Sequence, residues 1–379
     1  MGWRGVALLA AAGGLYSAVG AAFAWHSCRV VFNRHPPLRL HALRRLLLVT
    51  RPLGISWRLL TAPLRSLPDV YVIGEARCGT TTLAALLRDR LGMAGPFTPW
   101  VHPLADNKES FYFAGHYWRV VLPALYRLCF PLRVSRWFHR VVLRRPFLVF
   151  DGCASHLSAS WTPALLKRVT PAPLIIVCLR EPVSQHISWW QLEQSSDAWA
   201  KSMGLGDKYL SAPSRIRYPP ATLREAIDLS RAPDVKARWH VADGLGAGVF
   251  PILPEWAAPF PNGQLSAFDR MGRYADSIGR WLAHFDEGRF LFVALDELSA
   301  DPQKVLRRIA ERLGLPTDGL ECSLPAPKLN ASGAGSLQPD DALLSELGAY
   351  YRPHNERLFK LIGRDLGWHS DQRYWWYRT

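Results

Sequence analysis

A chain of 379 residues with 49% hydrophobic and 20% charged residues is long enough to bury a core, which excludes intrinsic disorder as its default state. Its formal net charge of +15 is uneven: Met1 to Pro68 holds nine arginines and no acidic residue, so the basic excess belongs first to the N-terminal arm. The six cysteines (Cys28, Cys78, Cys129, Cys153, Cys178 and Cys322) form neither a CxxC pair nor a metal-like spacing with histidines, so no metal site is expected and several read as buried thiols.

In chain order, Gly5 to Trp25 is a 21-residue uncharged run, long enough for a hydrocarbon core that needs about 20 residues. It reads as a membrane anchor over 1–27, with a cleaved signal or an organelle-targeting peptide as alternatives. Arg29, Arg34, Arg39, Arg44 and Arg45 follow the run while Arg4 alone precedes it, a bias that conflicts with a lumenal catalytic domain. A basic stem over 28–67 mixes arginine with leucine, and the globular part is expected over 68–379.

Four short apolar runs read as buried strands: "VYVIG", "FLVFDG", "LIIVCLR" and "RFLFVALDEL". Helical patterns lie between and after them, over Thr80–Leu91, Val183–Ala200, Gly272–Phe285 and Pro302–Leu313, the last with Asp301 as its cap. The alternation predicts an α/β fold with a mostly parallel sheet flanked by helices, whose ligands bind beyond the carboxyl ends of the strands.

Gly74 and Gly79 have the GxxxxG spacing of a phosphate loop, placed directly after a strand and before a helix. Such glycines allow a tight turn whose backbone N–H groups, with the helix dipole, form an anion nest. An ATP loop would continue with Lys and Ser/Thr, but Thr80 and Thr81 stand there, and Arg77 supplies a cation from inside the loop instead. About a hundred residues on, "LIIVCLR" ends in Arg180, and Ser188 follows two helical turns later; together they can hold a second phosphate.

Taken together, "PDVYVIGEARCGTTTLAALL", "NKESFYF", "LREPVSQHIS", "RFLFVALDELSADPQKVLRRIAERLGL" and "YYRPHNERLFKLIGRDLGW" resemble the sulfotransferases that use 3′-phosphoadenosine 5′-phosphosulfate (PAPS), above all the heparan sulfate N- and 3-O-sulfotransferase group, over Pro68 to Trp368. The resemblance implies a P-loop NTPase-like fold, PAPS as co-substrate with no metal, and a carbohydrate-like acceptor that receives the sulfuryl group on a hydroxyl or an amine. It implies a single-pass Golgi membrane protein with no nucleic-acid partner. Arg77 falls where the family has its lysine, the cation that neutralises the leaving phosphate. Cys78, Gly79, Thr80, Thr81 and Thr82 would donate to the 5′ group, and Arg180 and Ser188 would hold the 3′-phosphate. Glu109, in "NKESFYF", takes the place of the catalytic glutamate, the base that removes the acceptor proton; His102 and His156 are alternatives.

The sequence also departs from that group. Phe111 and Ala114 replace a histidine and an aspartate after the glutamate, a lysine is replaced at about Gly152, and no basic residue stands between Asn330 and Asp341. From Arg119 to Arg145 an insertion carries seven arginines, several aromatics and no acid; a lid, an anionic-acceptor groove, a lipid-facing surface and a solvated basic helix are all open readings. The C-terminal "RYWWYRT" is open to stacking on sugar rings or packing on the domain, and Asn330 begins a glycosylation sequon. A nucleotide kinase and an inactive PAP- or membrane-binding protein of the same fold are the rival functions.

Overall fold

The computed structural model describes residues 54–97, 108–110, 112–113, 123–170, 172–202, 222–233, 268–318 and 339–378. The apolar run, His102, Phe111, Ala114, the Asn330 sequon and the stretch expected to lack basic residues lie outside these, or almost wholly so. Among the described residues no helix is long and apolar enough to cross a membrane.

Four strands form one parallel sheet in the order β2-β1-β3-β4: β1 Val70–Gly74, β2 Phe150–Asp151, β3 Leu174–Leu179 and β4 Phe290–Ala294. Val70 pairs with Phe150 on one side and Leu174 on the other, and Ile175 pairs with Phe290. All residues of β1 and β3 are buried, which is why both read as unbroken apolar runs rather than as alternating ones. The chain leaves β1 for β2 on one side and then crosses to β3 on the other. The order therefore reverses about β1, and the crevice beyond its carboxyl end is where such sheets bind ligands.

Around the sheet run α1 (Thr80–Leu91), α2 (Arg133–Val141), α3 (Thr162–Val169), α4 (Pro182–Ser202), α5 (Leu223–Arg231), α6 (Tyr274–Leu282), α7 (Leu295–Ala300), α8 (Pro302–Arg312) and α9 (Asp341–Ile362). The expected α1 has its predicted bounds, and Asp301 caps α8 by accepting from the Lys304 amide at 2.9 Å. Two readings need correction. "FLVFDG" pairs as a strand only at Phe150 and Asp151, and "RFLFVALDEL" is strand only to Ala294, after which Leu295–Ala300 is helical. In the second case Glu297 reaches back to the Ala294 amide, so an acid at the third helical position ends the strand by starting a helix.

The core closes over the sheet with large rings. Trp281 of α6 is fully buried, stacks 5.8 Å from Phe285, and donates to the Leu157 carbonyl at 3.3 Å. The C-terminal turn Gln372–Tyr377 packs on α9 at Gly348, where even a methyl group would lie 2.2 Å from the Trp376 carbonyl oxygen. Tyr374, Trp376 and Tyr377 are buried there, so of the two readings of "RYWWYRT" these three rings take the packing one.

Candidate functional site

The loop after β1 is shaped by close approach and by handedness. A Cβ on Gly74 would lie 2.7 Å from the Cys178 carbonyl oxygen, so only glycine lets β3 come this near. Cys78 N–H then donates to the Glu75 carbonyl at 3.2 Å to close a turn, in which Arg77 has a φ of 72° and Gly79 a φ of 87°. A left-handed arginine is uncommon, and strain of this kind persists where the surroundings hold it. Gly79 caps α1 with no side-chain hydrogen bond, and the first turn of α1 carries no acid. Its leading N–H groups therefore face the loop as donors, at the positive end of the helix dipole.

Two cations converge on this end. Arg77 donates from Nε to Ser188 Oγ at 2.9 Å, and Arg180 donates from Nη1 to the Arg77 carbonyl at 3.0 Å. The two residues expected to hold the 3′-phosphate are thus joined directly to the loop expected to hold the 5′ group. Burial, and then the neighbouring Arg180, lower the Arg77 guanidinium to about 10. Two crowded, partly desolvated cations are a stored repulsion that a bound anion would relieve.

A buried network holds the loop from behind, and sequence reasoning missed it. Gln185 donates to the Ala76 carbonyl at 2.9 Å, its Oε1 lies 2.5 Å from His186 Nδ1, and His186 Nε2 lies 2.7 Å from the Tyr351 hydroxyl of α9. Glu181, fully buried, accepts from the Val183 and Ser184 amides at 2.8 and 2.7 Å and from the Tyr377 hydroxyl at 2.7 Å. Burial raises the Glu181 carboxyl above its ordinary range. Gln185 and His186 stand in "LREPVSQHIS" and Tyr351 in "YYRPHN", mixed polar stretches in which no local pattern marks these three as buried.

Glu109 lies on a loop stitched to the end of β2. Gly152 N–H donates to the Lys108 carbonyl at 2.6 Å, and Ser110 donates to Asp151 through its amide at 3.0 Å and its hydroxyl at 2.6 Å. A Cβ on Gly152 would be 3.0 Å from the Lys108 carbonyl oxygen and 3.5 Å from Ala84 of α1, so Gly152 lies between the Glu109 loop and the phosphate helix. Lys108, buried, bonds Glu109 Oε1 and reaches the Gly152 carbonyl at 3.4 Å. The position where the resemblance lacks a lysine is thereby visited by an ammonium from a neighbouring loop.

Other expected residues fall differently. The Cys78 thiol is buried, 3.4 Å from the Tyr274 hydroxyl, and burial pushes it up to about 12, so it packs inward and only its backbone can serve the nest. Thr80 and Thr82 are buried, with the Thr80 methyl against Gly74, while Thr81 is half-buried. His156 is fully buried, both ring nitrogens lack hydrogen-bond partners, and burial lowers its imidazole, so it has no access to an acceptor. Cys78, Cys129, Cys153 and Cys178 are buried, and among the described residues no cluster of three or more His, Cys, Asp or Glu could hold a metal ion. Within the described part of the basic insertion, Tyr126 donates to Asp151 at the end of β2, while Arg136 pairs with Asp69, just before β1, at 2.7 Å. Five strand residues, or roughly 16 Å, separate that pair from the loop, so α2 is no lid there.

A sulfotransferase domain match spans residues 67–324. Heparan sulfate glucosamine 3-O-sulfotransferase 3B1 of Mus musculus is 33% identical over 80% of this chain and 65% of its own. Heparan sulfate glucosamine 3-O-sulfotransferase 6 of the same species is 28% identical over 80% of this chain and 74% of its own. A solved sulfotransferase from Alicyclobacillus acidocaldarius has 20% identity and a TM-score of 0.46, over 80% of this chain and 98% of its own. With the domain match covering most of its length, the chain belongs to the sulfotransferase family, whose sulfuryl donor is PAPS.

Proposed function

We propose that this enzyme transfers a sulfuryl group from PAPS to a hydroxyl, or less readily an amine, of a carbohydrate. The observation that carries the proposal is the direct joining of Arg77 to Ser188 and of Arg180 to the Arg77 carbonyl, beside the glycine-capped N-terminus of α1. Two cations at one loop suit a nucleotide with phosphate at both ends, while an ATP loop would need the lysine that Thr80 replaces. In this reading the amides of Gly79 to Thr82 and Arg77 hold the 5′ end, and Arg180 with Ser188 holds the 3′-phosphate. The carbohydrate acceptor is inferred from the names of the relatives.

Glu109 takes the proton of the acceptor hydroxyl, whose oxygen forms its bond to sulfur as the bond from sulfur to the phosphate oxygen breaks. That oxygen keeps the electron pair, and Arg77 and Lys108 neutralise it. Lys108 bonds Glu109 before the acceptor arrives, so it also fixes where the base sits. We place the protein in the Golgi membrane, anchored by 1–27 and carried on 28–67; protease protection of intact vesicles tests that arrangement.

The test of the activity is calorimetric titration of the full chain with PAP, with ADP and ATP as controls. PAP is expected to bind selectively, and Arg180→Ala to reduce its affinity by at least about tenfold with the fold intact. Equal binding of ADP, or none of PAP, overturns the reading.

A further inference from the structure

Helix α2 is amphipathic the wrong way round for a helix of a globular domain. Its apolar residues recur at Val134, Trp137, Phe138 and Val141, the spacing of one helical face, and they are 59%, 57%, 44% and 57% exposed. No residue of α2 is buried. The exposed set continues through Val142 and Leu143, and it is joined by Leu59, Leu60 and Leu64 of the preceding segment. That segment is tied to the same region: Arg133 bonds the Pro63 carbonyl, Arg65 donates to the Phe130 carbonyl at 2.8 Å, and Arg127 donates to the Arg65 carbonyl at 2.9 Å.

Beside the apolar face runs a basic one. Asp69, Arg127, Arg133, Arg136, Trp137 and Arg140 line a cavity of about 660 Å³, and Arg144 and Arg145 are exposed just beyond. Burial, and then the neighbouring Arg133 guanidinium, lower Arg127. Asp69 engages Arg136.

From this we infer that α2 and the 59–64 segment form a docking surface for an anionic membrane, with the apolar residues in the acyl boundary and the arginines at the headgroup phosphates. Trp and Phe flanked by arginine is the composition of a helix lying in such an interface. The chemistry of the chain beyond the described part argues for the same occupant. The domain's first described residues lie at this face, and the residues before them include the uncharged run Gly5–Trp25, long enough to span a bilayer. β1 starts at this face and ends at the phosphate loop, so the donor site opens on the side away from the lipid.

The test is hydrogen exchange of the full chain mixed with vesicles of phosphatidylcholine alone or with phosphatidylserine added. Exchange over 133–143 should slow with the anionic vesicles only and recover as salt is raised. The variant Arg140→Gln/Arg144→Gln/Arg145→Gln, at exposed positions, should weaken anionic-vesicle binding by roughly a hundredfold. Trp137→Ser/Phe138→Ser should remove the slowing at 133–143. Thermal unfolding of each variant, expected to match the wild type, separates lost docking from lost folding, and the wild-type salt response stands without either. Three results overturn the inference: no slowing on either vesicle, slowing that grows with protein concentration in the absence of lipid, which would mark a second copy, or full protection in dilute lipid-free protein, which would mark the chain's own N-terminal segment.

Discussion

Arg77 Nε donates to Ser188 Oγ at 2.9 Å across 111 residues of sequence, and this one contact joins the loop after β1 to the helix after β3. Replacing Ser188 with alanine leaves a partly desolvated guanidinium without that acceptor, so PAP affinity should fall about tenfold. Arg77→Lys keeps the cation and should keep turnover within about tenfold of wild type, whereas Arg77→Ala should lose at least about a hundredfold. Titration with PAP and turnover with labelled PAPS measure these; equal losses in the lysine and alanine variants would mean that Arg77 acts through its shape and not its charge.

For the Glu109 and Lys108 pair, kinetics separate base from binder. Glu109→Gln should leave PAP affinity unchanged and reduce kcat by about 10² to 10⁴. Lys108→Ala should reduce kcat too, because the ammonium that bonds Glu109 and neutralises the departing oxygen is gone. An unchanged kcat would separate Lys108 from the chemistry.

Gly74→Ala is expected to be costly at a site that touches no substrate. The added methyl would sit 2.7 Å from a backbone carbonyl of β3, which cannot yield without opening the pairing of Gly74 with Cys178. Thermal and denaturant unfolding should show a loss of about 1–3 kcal/mol. A variant as stable as wild type would mean that the sheet relaxes there at no cost.

Glu75, the first loop residue, has its carboxyl buried near Ser158, Arg270 and Arg280, and burial raises it well above the ordinary carboxylate range. Below about pH 4.3 both folded and unfolded chains keep its proton, and no penalty arises. As pH rises above that value the unfolded chain releases the proton while the folded chain retains it, so stability falls with pH up to the raised folded value. Glu75→Gln should therefore match wild type in acid and melt several degrees higher near pH 8. A constant difference across pH would assign the effect to packing.

The strands β1 and β3, helix α1 and the GxxxxG loop were legible because each is a local pattern: an unbroken apolar run, a 3.6-residue period, two glycines at fixed spacing. Arg180 and Ser188 were legible from their place at a strand end and two turns into a helix. The direct Arg77 contact between them and the loop was not, since nothing local brings residues 77 and 188 together. The reach of Lys108 to Gly152 was hidden for the same reason, as was the path from Tyr351 through His186 and Gln185 to Ala76. Which side of α2 faces outward was equally undecided, because an amphipathic period has no direction until the rest of the fold occupies one side.

By itself, then, the amino-acid sequence determined the α/β class, the phosphate loop without its lysine and the family resemblance, because short-range periodicity and spacing depend only on neighbouring residues. The tertiary structure alone decided that two arginines and a serine meet at one end of the sheet, that Lys108 stands beside Glu109 and Gly152, and that α2 of the basic insertion lies at the opposite end. Those are relations across tens to hundreds of residues, set by which strands pair and which faces pack.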